Sequence, residues 1–233
     1  MYVGYHEQDA GESSQGRISS RIQSAIRAAE DLSPRQYGFR AGRSTVNAVQ
    51  EVIEAVCKAE DHNYHLRRVV LLVTLDVKNA FNSAKWCDML MALEQALQVP
   101  CYLTCRLILE RPQGSVLGPD LWNAFYDDLL RLEMPEEAVL IGYADDVAAF
   151  VAVRTVEQAQ RNLNRTMLRV NVWMEGHGLS LALNNIEIVV LTKRRINTIF
   201  PMRVSDITIE TKNSARYLGV SVDIKLNFGE HIS

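Results

Sequence analysis

Apolar residues along the chain fall into runs and stripes of two kinds. Three runs rich in Val, Ile, Leu and Phe, at 69–75, 138–142 and 147–153, have the length and β-branched content of buried strands. The first is near-continuous, as a central strand covered on both faces would be. The other two flank Tyr143-Ala144-Asp145-Asp146 and read as a β-hairpin over 138–153 with two adjacent carboxylates at its turn. Other segments repeat at helical spacing. Ile18, Ile22 and Ile26 mark a helix over 17–31, broken at Leu32-Ser33-Pro34. Ser44 or Thr45 can cap a helix with Val46, Val49, Ile53 and Val56 inward. Ser83 can cap another with Trp86, Leu90, Leu93 and Leu97 on one face, closed by Pro100. Pro119 suits the first position of a helix to about Glu133 with Leu121, Phe125, Leu129 and Leu132 inward. Thr155 and Gln158 form a capping box for a helix with Val156, Ala159, Leu163, Met167, Val170 and Met174 inward, ending at Gly176/Gly178. Leu179–Leu183 and Glu187–Leu191 read as a second hairpin around Asn184-Asn185, followed by short strands at 202–204, 207–210 and 217–222.

From 69 to 191 this order is close to βαββαβ, an α+β sheet with helices on one face. Such a sheet can set the 69–75 strand, which ends in Asp76, beside the 138–153 hairpin. Asp76, Asp145 and Asp146 then converge at strand ends, with no obvious Lys or Arg partner nearby. Two adjacent carboxylates alone also fit a solvated turn; a third one shifts the reading toward a cation. Oxygen-only ligands select a hard ion such as Mg²⁺ or Mn²⁺, and a pair of such ions about 3.5–4 Å apart is a device of phosphoryl transfer.

Composition sets outer bounds. The chain has 233 residues, 48% of them hydrophobic, enough for one large domain or two small ones. Its net charge of −3 requires any nucleic-acid affinity to come from local patches. Two such patches are the arginine-bearing loop 35–45, with Arg40 and Arg43, and Lys193-Arg194-Arg195; each also reads as a solvated loop. Cys57, Cys87, Cys101 and Cys105 have no CxxC spacing and suit a reduced, intracellular setting, nucleus or cytoplasm. The first twenty residues are polar, with no signal peptide, and no apolar stretch is long enough to span a membrane.

Six segments together resemble the reverse transcriptase domain of non-LTR (LINE-type) retrotransposons of the arthropod kind: LSPRQYGFRAGRSTVNAV (32–49), VTLDVKNAFNSAKW (73–86), PQGSVLGPDLWNAFYDD (112–128), IGYADDVAAFV (141–151), GLSLALNNIEIVVLTKRR (178–195) and YLGVSVDIKLNF (217–228). They stand in the family's order and cover most of 32–228. The resemblance implies a right-hand polymerase palm with a ferredoxin-like βαββαβ core and part of the fingers. Residues 1–31 would be a poorly defined start with a partial fingers helix, 32–68 the fingers remnant and 69–228 the palm. It implies an RNA-directed DNA polymerase that uses dNTPs, an RNA or DNA template with a primer, and two Mg²⁺ ions, or Mn²⁺. Asp76, Asp145 and Asp146 match the family's metal-binding aspartates. Phe81 matches the aromatic under the sugar that excludes a ribose 2′-hydroxyl. Gln113 and Gly114 match the PQG turn that positions nucleotide and template, Tyr143 would support the primer end, and Arg40 and Arg43 would meet template or phosphates.

The sequence also departs from the family's pattern. Tyr102–Arg111 stands where a few tens of residues are usual, and residues 1–20 do not resemble the fingers strand. Asn185-Ile186 occupies the place of a Lys-Thr whose lysine is thought to protonate the departing pyrophosphate. The chain stops just past the palm, so a thumb and an endonuclease domain are expected to be absent. The alternative expectation is therefore a catalytically weak or inactive palm remnant that binds nucleic acid. Sequence does not set the oligomeric state.

Overall fold

The computed structural model describes residues 32–60, 69–78, 80–85, 87–89, 91–92, 118–135, 137–192 and 196–226. The expected 17–31 helix, the 102–111 segment, Gln113, Gly114 and the 193–195 cluster lie outside the described residues, and Phe81 is described by its backbone alone. In chain order the elements are α1 (Thr45–Glu60), β1 (Val69–Leu75), α2 (Ala80–Ser83), α3 (Gly118–Leu130), β2 (Ala138–Tyr143), β3 (Asp146–Val153), α4 (Val156–Gly176), a 3-10 turn (Leu183–Asn185), β4 (Glu187–Leu191), β5 (Pro201–Val204), β6 (Ile207–Glu210), β7 (Ser214–Tyr217) and β8 (Val220–Asp223).

Four strands form one antiparallel sheet in the order β2-β3-β1-β4. β1 lies inside it, paired with β3 from Val69↔Val153 to Leu75↔Val147 and with β4 from Val70↔Leu191 to Thr74↔Glu187. Successive side chains of a strand point to opposite faces, and the two faces of β1 feed two cores. Val69, Leu71, Val73 and Leu75 pack with Trp122 and Phe125 of α3 and Leu163 and Met167 of α4. Val70 and Leu72 pack with Val49, Val52 and Val56 of α1 and with Ala215, Tyr217 and Val222 of the last hairpin. The expectation of helices on one face thus holds for α3 and α4, while α1 and the β7–β8 hairpin cover the other face. This is why β1 carries an unbroken apolar run rather than alternation.

Helix entries follow their caps. The Thr155 side chain accepts from the Gln158 backbone N–H at 3.2 Å, and Gln158 Oε1 accepts in return from the Arg154 N–H at 3.1 Å. Ser44 Oγ accepts from the Asn47 N–H at 3.4 Å ahead of α1. The inward faces are shifted from those expected. Val46 is 71% and Val156 45% exposed, and both sit in the first turn of their helices. The buried stripe of α1 is Ala48, Val49, Val52, Val56 and Ala59. α3 is buried almost all round from Leu121 to Tyr126, so Trp122 and Tyr126 are core residues as well as Leu121 and Phe125. The helical turn after Asp76 begins at Ala80, so Ser83 closes α2; residues 87–89 and 91–92 are helical again, so the expected helix enters after Ser83, and its Trp86, Leu90, Leu93 and Leu97 lie outside the described residues.

Two expected strands take other forms. Leu179–Leu183 does not pair with 187–191. Leu181 makes an isolated bridge to Val77, residues 183–185 wind into the 3-10 turn, and 187–191 is free to pair with β1 instead. The 217–222 run is a hairpin, not one strand: Leu218 and Gly219 adopt φ of 50° and 81°, the left-handed pair that a tight two-residue hairpin turn requires.

The corrected faces predict contrasting stabilities. Leu163→Ala removes a fully buried side chain of α4 and should cost about 2–5 kcal/mol. Val156→Ala should stay within about 0.5 kcal/mol. Paired urea denaturation curves check both; equal losses would contradict the placement of α4.

Candidate catalytic site

The site forms where β1 and β3 end together. Since Leu75 pairs with Val147, one further step of the register sets Asp76 opposite Asp146. Tyr143 and Asp146 are the last pair of the β2–β3 hairpin, with Ala144 and Asp145 as its turn. Asp76 and Asp145 are half-buried and Asp146 is exposed. The carboxyl group of Asp146 is nonetheless pushed above the usual carboxylate range, first by partial desolvation and then by Asp145 and Asp76. The phenol of Tyr126, buried beneath, is pushed up chiefly by burial and further by Asp145, Asp146 and Asp76. Among the described residues its hydroxyl finds no hydrogen-bond partner. The three aspartates therefore share one electrostatic field, as the strand order implied.

The turn that carries them is strained and braced. Ala144 has φ +56°, a conformation costly for a residue with a Cβ. Trp122 Nε1 donates to the Ala144 carbonyl at 2.9 Å from inside the core. On the other side the 32–44 segment runs along β2. The Tyr37 N–H donates to the Gly142 carbonyl at 2.9 Å and the Gly142 N–H to the Arg35 carbonyl at 3.0 Å. Gln36 is fully buried there, with Nε2 donating to Asn123 Oδ1 at 2.6 Å, and Asn123 Nδ2 donates to the Phe39 carbonyl at 3.1 Å. Gly38 lies so close to the turn that a Cβ on it would overlap the Ala144 backbone nitrogen.

Asp76 is fixed from β4's side. Its carbonyl accepts from the Ala182 N–H at 2.8 Å, and Asn185 Nδ2 donates to its Oδ2 at 2.7 Å. Asn185 thus binds Asp76 directly. Arg40 and Arg43 are engaged within their own loop. Arg40 Nη1 donates to the Ser33 carbonyl at 2.8 Å, and the Arg43 guanidinium lies 5.0 Å from the centre of the Tyr37 ring. Tyr37 in turn donates to Glu51, and burial together with that bond pushes its phenol up to about 12. Burial and Arg43 pull Arg40 down. Tyr143 is half-buried and packs with the α1-side core.

Sequence pattern missed Trp122, Gln36 and Asn123, which brace the turn and the segment beside it, and Tyr126, which is buried in the aspartates' field. The signal was present in the all-round apolar stretch of α3, since a helix buried on every side has more than one partner. Carboxylate oxygens are a donor set suited to a hard divalent cation. Among the described residues, however, no three His, Cys, Asp or Glu side chains are gathered closely enough to hold a metal ion as they stand.

Known proteins resemble the chain in sequence and in fold. The profile of the reverse transcriptase (RNA-dependent DNA polymerase) family matches residues 13–222. The probable RNA-directed DNA polymerase from transposon BS of Drosophila melanogaster is 25% identical over 243 residues, covering 92% of this chain and 26% of that protein. The corresponding protein from the Drosophila X-element is 25% identical over 239 residues, covering 93% of this chain and 26% of the relative. A Pol polyprotein from the type-1 element R1 2 of Nasonia vitripennis is 32% identical over 127 residues, 52% of this chain and 31% of that one. The chain thus spans about a quarter of the length of the Drosophila relatives. In fold it matches an apo telomerase from Candida tropicalis with a TM-score of 0.59 at 9% identity, over 93% of this chain and 44% of that one. A Candida albicans telomerase solved with a fragment of telomeric RNA also gives 0.59, at 8% identity, over 89% of this chain and 36% of that one.

Two predictions test the bracing and the shared field. Gly38→Ala forces a backbone clash at the turn and should cost about 1–3 kcal/mol, read as a lowered urea midpoint. A raised folded-state pKa means that Asp146 holds its proton more tightly when folded than unfolded. Its ionisation therefore opposes folding above the folded pKa, and the penalty fades as pH falls below the ordinary carboxylate range. Asp146→Asn should accordingly melt higher than the parent at neutral pH in chelator, with the gap closing in acid. A lower melting temperature at neutral pH would contradict the shared field.

Proposed function

Because the chain belongs to the reverse transcriptase (RNA-dependent DNA polymerase) family, we propose that it is the fingers remnant (32–68) and palm (69–228) of a retrotransposon polymerase. The order of elements and the sheet order β2-β3-β1-β4 support reading it as a ferredoxin-like βαββαβ palm core. The single observation that carries the reading is the register. It brings Asp76, from a strand nearly seventy residues upstream, opposite the Asp145-Asp146 turn, and Asp146 is pushed up by both neighbours.

Asp76, Asp145 and Asp146 would hold two divalent cations, Mg²⁺ or Mn²⁺. When bound, such ions supply charge stabilisation and nucleophile activation for nucleotidyl transfer from a dNTP to a primer 3′-hydroxyl. The chain's own contribution is placement. Trp122 and the 35–38 segment hold the turn, and the Ala182 N–H and Asn185 hold Asp76; Tyr143 would support the primer end. Phe81, on the helical turn five residues past Asp76, would lie under the sugar; Gln113 and Gly114 would face nucleotide and template. Arg40 and Arg43 support the loop from within, so a phosphate contact would use only the guanidinium edges left open. The template is RNA or DNA with a primer.

A second reading, a non-catalytic palm that binds nucleic acid, is favoured by Asn185. A carboxamide cannot serve as a general acid, and here it donates a hydrogen bond to Asp76. Primer extension on an RNA template with Mg²⁺ and dNTPs decides between the two. The polymerase reading expects extension that Asp145→Asn abolishes and that Asn185→Lys raises, by up to about 10²–10⁴-fold if proton donation limits the rate. Absence of extension in both the parent and Asn185→Lys would favour the non-catalytic palm. Phe81→Val should admit ribonucleotides; unchanged discrimination would remove Phe81 from the sugar site.

A further inference from the structure

The distal end of the central hairpin carries a second concentration of charge, opposite in sign to the first. β3 starts at Asp146 and ends at Val153, and Arg154 and the cap Thr155 lead from it into α4. A cavity of about 400 Å³ opens there, lined by Arg154, Arg161 and Arg165, with the carboxamides of Gln158 and Asn162 and one acid, Glu137. The three arginines are exposed. Arg161, Arg165 and Arg169 follow at four-residue spacing, so they share one face of α4. In a chain of net charge −3 this face reverses the local sign. It also differs from the 35–43 arginines, whose guanidiniums brace their own loop.

We propose that this arginine-lined cavity is a binding site for the phosphate backbone of single-stranded RNA, separate from the acidic site. Guanidinium forks match phosphate oxygens, and phosphate contacts give affinity without reading sequence. Among the described residues the lining contains no aromatic ring on which a base could stack, so the site takes backbone rather than bases. Gln158, whose cap bond uses its carboxamide oxygen, favours RNA because its amide group can donate to a 2′-hydroxyl that DNA lacks. The seven steps of β3 place the cavity about 24 Å from Asp146 at about 3.4 Å per residue. A strand engaged at the acidic end could therefore be gripped again here. The site rests on charge and shape alone and does not need the acidic site to be active.

Fluorescence anisotropy with a labelled 20-nucleotide RNA of mixed sequence tests it, using the full chain in chelator. Arg154→Ala/Arg161→Ala/Arg165→Ala should weaken binding at least tenfold at low salt. It should also flatten the plot of log affinity against log salt by about 2, as the loss of three single-strand phosphate contacts requires. All three positions are exposed, and an unchanged circular dichroism melt verifies the fold. Arg203→Ala/Arg216→Ala, which removes equal charge per residue elsewhere, should change affinity less than threefold. Asp145→Asn should retain the arginine-dependent binding whether or not the chain extends a primer. Unchanged affinity and salt slope in the triple variant would overturn the site. DNA of the same sequence binding as tightly as the RNA would overturn the choice of RNA. Loss in Asp145→Asn equal to that in the triple variant would overturn its separateness.

Discussion

A turn of two residues between β2 and β3 must hold two carboxylates at a sheet end while its own backbone sits in the left-handed region at Ala144. Left to itself such a turn would relax, since the conformation costs of order 1–3 kcal/mol and the charges repel. It persists because three separate segments over-determine it. The indole of Trp122 holds the Ala144 carbonyl from the core, the 35–38 segment hydrogen-bonds across Gly142 and packs on the turn, and β3 is locked to β1 along its whole length. Much of the described structure can be understood as support for this point. α3 delivers Trp122 from one face, and the 32–44 loop, steadied by Arg40, Arg43 and the Tyr37–Glu51 bond, arrives from the edge.

Strands were the more legible part of the fold. β1, β2 and β3 follow apolar runs whose ends are set by the polar residues that interrupt them, and the order of elements placed Asp76 beside the hairpin before any contact was known. What pattern could not supply was orientation at element ends and around short turns. Val46 and Val156 fit a helical stripe, yet in the first turns of their helices they stand in solvent. The 179–183 and 187–191 runs look like hairpin partners, but β1 offers β4 a fully buried face, and that burial outweighs local pairing. The residues supporting the site were hidden for a different reason. Trp122 and Asn123 look like ordinary members of a helix, and only the third dimension shows what their polar atoms reach.

Asn185 holds Asp76 without bringing a charge to it. Its amide donates to the Asp76 carboxylate at 2.7 Å, so the aspartate is oriented even with no cation beside it. A lysine there would bring a positive charge into a field that now holds three carboxylates, and would compete with any metal for the same oxygens. The neutral amide leaves the field fully acidic while removing a proton donor. Affinity for a cation and competence in proton transfer are thereby separable at this position.

The parallel bridge between Gln36 and Gly142 has a consequence apart from chemistry. β2 is the outermost strand on its side of the four-stranded sheet, and the outermost strand of any sheet offers unpaired N–H and C=O groups as a template for another chain. Here Arg35 and Tyr37 occupy the groups of Gly142, and the buried Gln36 side chain wedges the segment in place. The segment therefore guards against self-association as well as supporting the turn. A shorter version of the protein that began at α1 would leave an apolar border uncovered, and its first failure would be aggregation in the native state.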